Sequence, residues 1–382
     1  MRKSLIATLL MLALVVPMLA ACGGTAATPT AAPAEPTAAP AEPTAAPAEP
    51  TAAPAEPTAA PAEPTAAPTE PPATLRVGLV TDVGKINDGT FNQYAYEGLT
   101  RAEQELGIEI AFIETQAPTD YDKNLQQFAD QGFDLIIGVG FLMGDAIAEA
   151  AARNPDVKYA IVDFAYDPAI PNVRGLVFAE DQAGYLAGVL AASMTESGVV
   201  AAVGGVEIPP VQKFLLGYEN GAKSVNSDIE VKRVYIDSFV DRARGAEAAR
   251  SFIAEGADVI FGAGGQTGSG GIQAAAEDGV YVIGVDQDEY VTTFQNGATP
   301  GAANIISSAI KRVDVAVFET IKSVQDGTFE GGTLVFSAAN DGVGLAPFHD
   351  ADAAIPADVK ALIATTVAGL ANGSISTNVV LP

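Results

Sequence analysis

The sequence predicts an α/β protein of two doubly wound, parallel-sheet lobes joined by a three-crossover hinge, and three observations carry that prediction. From Leu75 onward, short apolar runs alternate with helical patterns over the rest of the chain. Several runs, such as Leu135-Ile136-Ile137, Val259-Ile260-Phe261 and Val282-Ile283, are continuously apolar rather than alternating, as expected of parallel strands covered on both faces. The runs also fall into two groups of four, with an extended stretch between them. Strand–helix alternation maintained throughout is the pattern of parallel sheets flanked by helices.

In the first group the expected strands are Leu75–Thr81, Glu109–Glu114, Asp134–Gly140 and Lys158–Asp163. Between the first two, Phe91 to Leu106 puts Ala95, Leu99, Ala102 and Leu106 on one helical stripe. Gly175-Leu176-Val177-Phe178 reads as an extended crossover. The second group is Val199–Gly204, Val231–Asp237, Asp258–Ala263 and Tyr281–Asp286, with helical patterns over Gly245–Glu255, Gly270–Glu277 and Ile305–Gln325, and Thr333–Ser337 again extended. Crossings near Gly175, Asp288 and Gly332 follow. They assign 75–176 with 290–330 to an N-terminal lobe and 177–289 with 331–382 to a C-terminal lobe. Such lobes enclose a cleft that closes by hinge motion.

The segments ahead of Leu75 have a different character. Residues 1–21 read as a signal peptide: Met1-Arg2-Lys3 is a positive start and Leu5 to Leu19 an apolar run, too short to span a bilayer comfortably. Leu19-Ala20-Ala21-Cys22-Gly23 resembles a bacterial lipobox, in which the cysteine thiol takes a diacylglycerol and becomes the mature N-terminus; Cys22 is the one cysteine of 382 residues. The plainer alternative is an ordinary secretory signal with a stray cysteine. Residues 22–74 read as a tether. They carry five copies of Pro-Ala-Glu-Pro-Thr-Ala-Ala over 33–67, where proline blocks regular hydrogen bonding and no side chain is large enough to offset ordering entropy. At about 3.1 Å per residue in an extended form, such a spacer reaches roughly 150 Å. The expected location is the extracytoplasmic face of the cell membrane, held there by the lipid.

Composition excludes several function classes. Residues 75–382 hold 18 basic against 41 acidic side chains, a net charge of −23, which repels phosphate backbones and argues against a nucleic-acid partner. With Cys22 acylated, no disulfide, cysteine-type zinc site or cysteine nucleophile remains. His349 is the single histidine. Gly262–Gly271 lacks dinucleotide spacing, since the sixth position is Thr267, and Asp286-Gln287-Asp288-Glu289 lacks calcium-loop spacing. No metal and no cofactor are expected.

The expected ligand site lies at the carboxyl ends of the strands. Three of those ends carry Asp82, Asp163 and Asp286, and others carry Gly140-Phe141, Gly204-Gly205 and Gly264-Gly265. Three carboxylates at three strand ends are costly as unpaired core residues. The bland alternative for each is a helix N-cap.

Together these residues resemble one family. The stretch Asp82-Val83-Gly84-Lys85-Ile86-Asn87-Asp88-Gly89-Thr90-Phe91-Asn92-Gln93 resembles the opening motif of the basic membrane protein lipoproteins, the purine-nucleoside-binding subunits of ABC importers. Phe133–Phe141, Tyr185–Gly188, Lys213-Phe214, Gly217-Tyr218, Gly221, Gly264–Gly268, Ile283–Asp288 and Lys311–Asp314 match as well, so the likeness runs from about Leu75 to Phe329. It implies a type I periplasmic-binding-protein fold, a monomer that is no enzyme, and a membrane permease as partner. It also implies roles: Phe91 stacks on the base, Asp82 and Asp163 meet its polar edge, and Asp286 and Lys311 meet the ribose. Asn92, Gly264 and Gly265 join the ligand-binding set. Phe141, Phe214 and Phe261 compete as the second stacking aromatic, with Phe141 and Phe214 kept in the site. The chain departs from the family pattern in a Gly/Asn/Pro-rich insertion over Gln295 to Ala302 and in Gln266 within the glycine turn. Two other classes stay open: a lipid-anchored nucleoside hydrolase using Asp82 and Asp163 as acid and base, and a sugar or autoinducer binder or sensor on the same fold.

Overall fold

A computed structural model describes residues 74–382. The expected signal peptide, Cys22 and the repeat tether lie outside the described residues. The described chain runs β1 (Arg76–Val83), α1 (Phe91–Leu106), β2 (Glu109–Thr115), α2 (Tyr121–Asp130), β3 (Leu135–Val139), α3 (Gly144–Arg153), β4 (Lys158–Val162), β5 (Val173–Phe178), α4 (Glu180–Met194), β6 (Val199–Gly204), α5 (Pro209–Val225), β7 (Glu230–Tyr235), α6 (Arg242–Ala254), β8 (Val259–Ala263), α7 (Gly265–Glu277), β9 (Tyr281–Asp286), β10 (Ile305–Lys311), α8 (Val313–Gln325), β11 (Gly332–Phe336), β12 (Val343–Leu345) and α9 (Ala357–Ala371). Two six-stranded sheets result, ordered β11-β5-β4-β3-β1-β2 and β12-β10-β9-β8-β6-β7. Every pairing is parallel except β10 with β12. The α/β class and the doubly wound parallel sheets agree with the sequence.

Each sheet is covered on both faces, which is why its central strands read as unbroken apolar runs. In the first lobe Leu79, Leu135 and Ile137 share one cluster with Ala95 and Leu99 of α1 and Val317 of α8. Their neighbours Val80, Ile136 and Ile161 face Leu125 and Phe128 of α2 and Ile147 of α3. In the second lobe Phe261 and Ile283 pack with Leu186 of α4 and Leu215 of α5. Ile260 and Val282 face Ala249 of α6 and Ile272 of α7.

The structure moves two boundaries drawn from the sequence. Ile305–Lys311 is strand β10, hydrogen-bonded to β9 in the second sheet, and not the start of a helix. Ser307 and Ser308 break its apolar run and disguise it. Both are buried and satisfied, Ser307 donating to the Ala346 carbonyl at 2.8 Å and Ser308 Oγ accepting from the Glu289 amide at 3.1 Å. Burial in the sheet outweighs the local helical pattern. Conversely β11 pairs in register with β5 in the first sheet, so 332–336 belongs to the first lobe. The chain therefore crosses between sheets after β5, between β10 and α8, and between β11 and β12. Gly175-Leu176-Val177-Phe178 is likewise a full strand of the first sheet, not only a crossover.

The α4–α5 contact is backbone to backbone. A Cβ on Gly188 would sit 2.0 Å from the Tyr218 carbonyl, and one on Gly221 2.0 Å from the Tyr185 carbonyl. Neither obstacle can move without shifting a helix. Gly188→Ala should therefore destabilise the protein by about 3 kcal/mol or somewhat more, the upper end of overpacking. Thermal unfolding reads this directly; a melting temperature equal to the parent's would show that the helices separate freely.

Candidate functional site

The carboxyl ends of both sheets converge on one cavity. Asp82 closes β1, Gly140 and Phe141 follow β3, and Asp163 follows β4. Gly264 and Gly265 follow β8, Asp286 closes β9 and Lys311 closes β10. Phe91 and Asn92 enter from the first turn of α1, and Phe214 from α5. All ten residues singled out in the sequence line this cavity.

Asp163 and Asp286 sit in the left-handed backbone region, at φ 71° and 65°. That conformation is uncommon for a residue other than glycine, and it clusters at ligand sites. Neither these two nor Asp82 caps a helix. That job falls to Asp88, whose carboxylate accepts from the amides of Thr90 (2.9 Å), Asn92 (3.2 Å) and Gln93 (3.1 Å) at the start of α1.

Lys311 is the electrostatic centre. Its Nζ lies 2.9 Å from Asp163 Oδ2 across the cleft, 3.7 Å from Asp286 Oδ1 and 3.8 Å from Glu180 Oε1, with the side chain 3% exposed. Burial pulls its pKa down, but the carboxylates outweigh burial and hold it above its ordinary value. The acids feel the reverse. Burial pushes Asp286 up to about 6 and Glu180 up to about 7, with Lys311 opposing in both cases. Lys213 gives Glu180 a second cation at 3.2 Å. The Lys311 ammonium also stands over the Phe91 ring at 4.7 Å and the Phe214 ring at 5.5 Å. The Gln295–Ala302 insertion leaves Lys311 in the cavity; its residues Gln295, Ala298, Thr299 and Pro300 line a separate polar chamber beside it.

Ile208, Pro210, Val211, Phe239 and Val240 supply apolar wall, and Asp88 and Gln266 add polar groups to the lining. Of the three aromatics in competition, Phe261 is fully buried, stacked on Tyr218 at 5.1 Å, and does not line the cavity. Phe141 and Phe214 do. Phe239 was not anticipated, though it stands just past the end of β7, where the sequence rule for ligand sites looks. Glu180 was missed too. As the first residue of α4 it gives no strand-end signal. Asn92 has its amide engaged by the protein: Oδ1 accepts the Asp82 amide at 3.1 Å and Nδ2 donates to Asp88 Oδ2 at 3.0 Å. Further bonds cross the cleft mouth. Gln287 Nε2 donates to the Thr90 carbonyl at 2.9 Å, and Thr292 Oγ1 to the Gly89 carbonyl at 2.7 Å. Among the described residues no helix is long and apolar enough to cross a membrane.

Residues 75–366 match the family model for the PnrA-like ABC transporter substrate-binding proteins. A protein of Lactococcus lactis subsp. cremoris named ABC transporter nucleoside-binding protein BmpA is 35% identical over 285 residues, covering 71% of this chain and 81% of its own length. Basic membrane protein A of Borreliella burgdorferi is 35% identical over 273 residues, 70% and 78% of the two chains. Among solved structures, an ABC transporter solute-binding protein from Aeropyrum pernix superposes with a TM-score of 0.72 at 27% identity, covering 79% of this chain and 92% of the other.

Proposed function

The chain belongs to the Bmp family of PnrA-like ABC transporter substrate-binding proteins, and from that premise we propose that it captures a purine nucleoside in the interlobe cavity and delivers it to a membrane permease. The observation that supports this reading is the pairing, in one cavity, of aromatic faces with a carboxylate–lysine cluster. Phe91, with Phe141, Phe214 or Phe239 as the second face, suits a flat base. Asp82 and Asp163 suit its polar edge, and Asp286 with Lys311 suits ribose hydroxyls, which both donate and accept. The name of the Lactococcus relative points the same way. Binding rather than turnover is the expected activity. Incubating the protein with inosine and chromatographing the mixture tests this: recovery of intact nucleoside supports a binding protein, and release of hypoxanthine makes it a hydrolase.

Attachment through a lipid on Cys22 at the extracytoplasmic face completes the proposal, with the protein acting as a monomer. Cys22→Ser should release the chain from the membrane fraction, since the repeat tether has no large apolar side chain to insert. Retention after a salt wash would contradict the anchor.

A further inference from the structure

Asp82 is held in an asymmetric way. Its Oδ1 accepts two protein hydrogen bonds, one from the Tyr121 hydroxyl and one from the Val83 amide at 2.6 Å. Its Oδ2 accepts none among the described residues and lies against Gly140 on the cavity wall, where an added Cβ would come within 2.7 Å of it. Tyr121 is on α2, 4% exposed, and does not line the cavity, so it can act on a ligand only through Asp82.

We propose that Tyr121 is a positioning residue for base recognition: by donating to Oδ1 of Asp82 it leaves Oδ2, turned to the cavity, as the oxygen that meets the ligand and accepts an N–H from the base. This inference rests on the purine-nucleoside reading of the cavity. It makes the site selective for bases that present an N–H on their hydrogen-bonding edge. Inosine offers its ring N1–H, and adenosine its exocyclic amine. Purine riboside has the same ring system and ribose but only bare ring nitrogens on that edge. Against an ionised carboxylate it loses a charged hydrogen bond and sets two lone pairs face to face.

The groups around Asp82 fit this role. Burial raises the Asp82 carboxyl above the ordinary carboxylate range; the Tyr121 hydroxyl and the Val83 amide oppose that rise without cancelling it, and Asp163 after β4 adds to it. Asp163 is itself paired with Lys311. Asp88, ahead of α1, is bridged to the Asp82 backbone through Asn92 and is saturated by amides. Burial and the neighbouring Asp82 raise the Tyr121 phenol well above its ordinary value, so it remains a donor across the physiological range. Without its hydroxyl the balance at Asp82 tips toward protonation. A protonated carboxyl can donate to a bare ring nitrogen.

The test is the affinity ratio of inosine to purine riboside, measured by calorimetry between pH 5.5 and 8.5 on the parent and on Tyr121→Phe. The parent should favour inosine by about tenfold or more at pH 8, the worth of one charged hydrogen bond. The ratio should fall as the pH drops. In Tyr121→Phe the fall should occur at higher pH, and the ratio at pH 7 should shrink several-fold. The ring fills the same core space in both proteins, so a merely structural role would weaken both ligands alike and leave the ratio unmoved. That result overturns the inference. Asp82→Asn supplies a second arm, since an amide can donate at any pH; its ratio should be low and flat, and a parent-like pH profile would also overturn it. If neither ligand binds the parent while another solute does, the nucleoside reading fails and this inference with it.

Discussion

Lys311→Ala should destabilise the protein by about 3–5 kcal/mol, the range for breaking a buried ion pair by removing one partner. Lys311 is 2% exposed and faces Asp163, Asp286 and Glu180. Its loss leaves three buried carboxylates with Lys213 as the nearest remaining cation, 3.2 Å from Glu180. The pH dependence has a definite sign. Asp286 and Glu180 are raised in the folded protein to about 6 and about 7, from ordinary values of 3.8 and 4.5. A carboxyl raised on folding contributes stability in full below its unfolded pKa and loses it as the pH climbs through the folded one. The parent should therefore lose this contribution between about pH 4 and 7. The variant, lacking the cation that opposes the rise, should show its largest deficit near pH 8 and a smaller one near pH 5. Chemical unfolding at both values measures this. Equal deficits would mean that the carboxylates do not share the lysine.

Asp286→Ala should affect binding and stability differently. If Asp286 meets the ribose, the nucleoside should lose about 1.5–3 kcal/mol, the worth of a hydrogen bond to a charged group. That is roughly a 10- to 100-fold weaker complex. Any binding of the free base should hardly change. Stability at pH 8 should hold or rise, because the variant removes a buried carboxylate that is costly to ionise, while Lys311 keeps Asp163 at 2.9 Å and Glu180 at 3.8 Å. Equal affinity losses for nucleoside and base, or for ribosyl and deoxyribosyl ligands, would remove Asp286 from the ribose and return the sugar-binding alternative.

The parts of the fold that were legible in the sequence are those where local and global preferences agree. The strands β3, β8 and β9 carry unbroken apolar runs because helices cover both their faces. β10 was not legible, because Ser307 and Ser308 satisfy their hydroxyls through partners 39 and 19 residues away in the chain. β11 was seen as extended, but its sheet was not, since its burial pattern is weak and only pairing with β5 places it. The site divides the same way. Asp82, Asp163 and Asp286 announce themselves as charges at strand ends. Glu180 and Tyr121 act on those charges from helices, at separations of 131 and 39 residues along the chain from Lys311 and Asp82. No local spacing encodes such contacts; three-dimensional packing alone brings them together.

On the proposed reading, the cavity at the strand ends holds one purine nucleoside. Native mass spectrometry of the freshly purified protein, followed by unfolding and a titration with inosine, tests it most directly. A single added mass of one purine nucleoside per chain is expected, lost on unfolding and restored by inosine at one equivalent. A protein that retains a sugar or an amino acid instead, or that binds neither inosine nor guanosine after refolding, would contradict it.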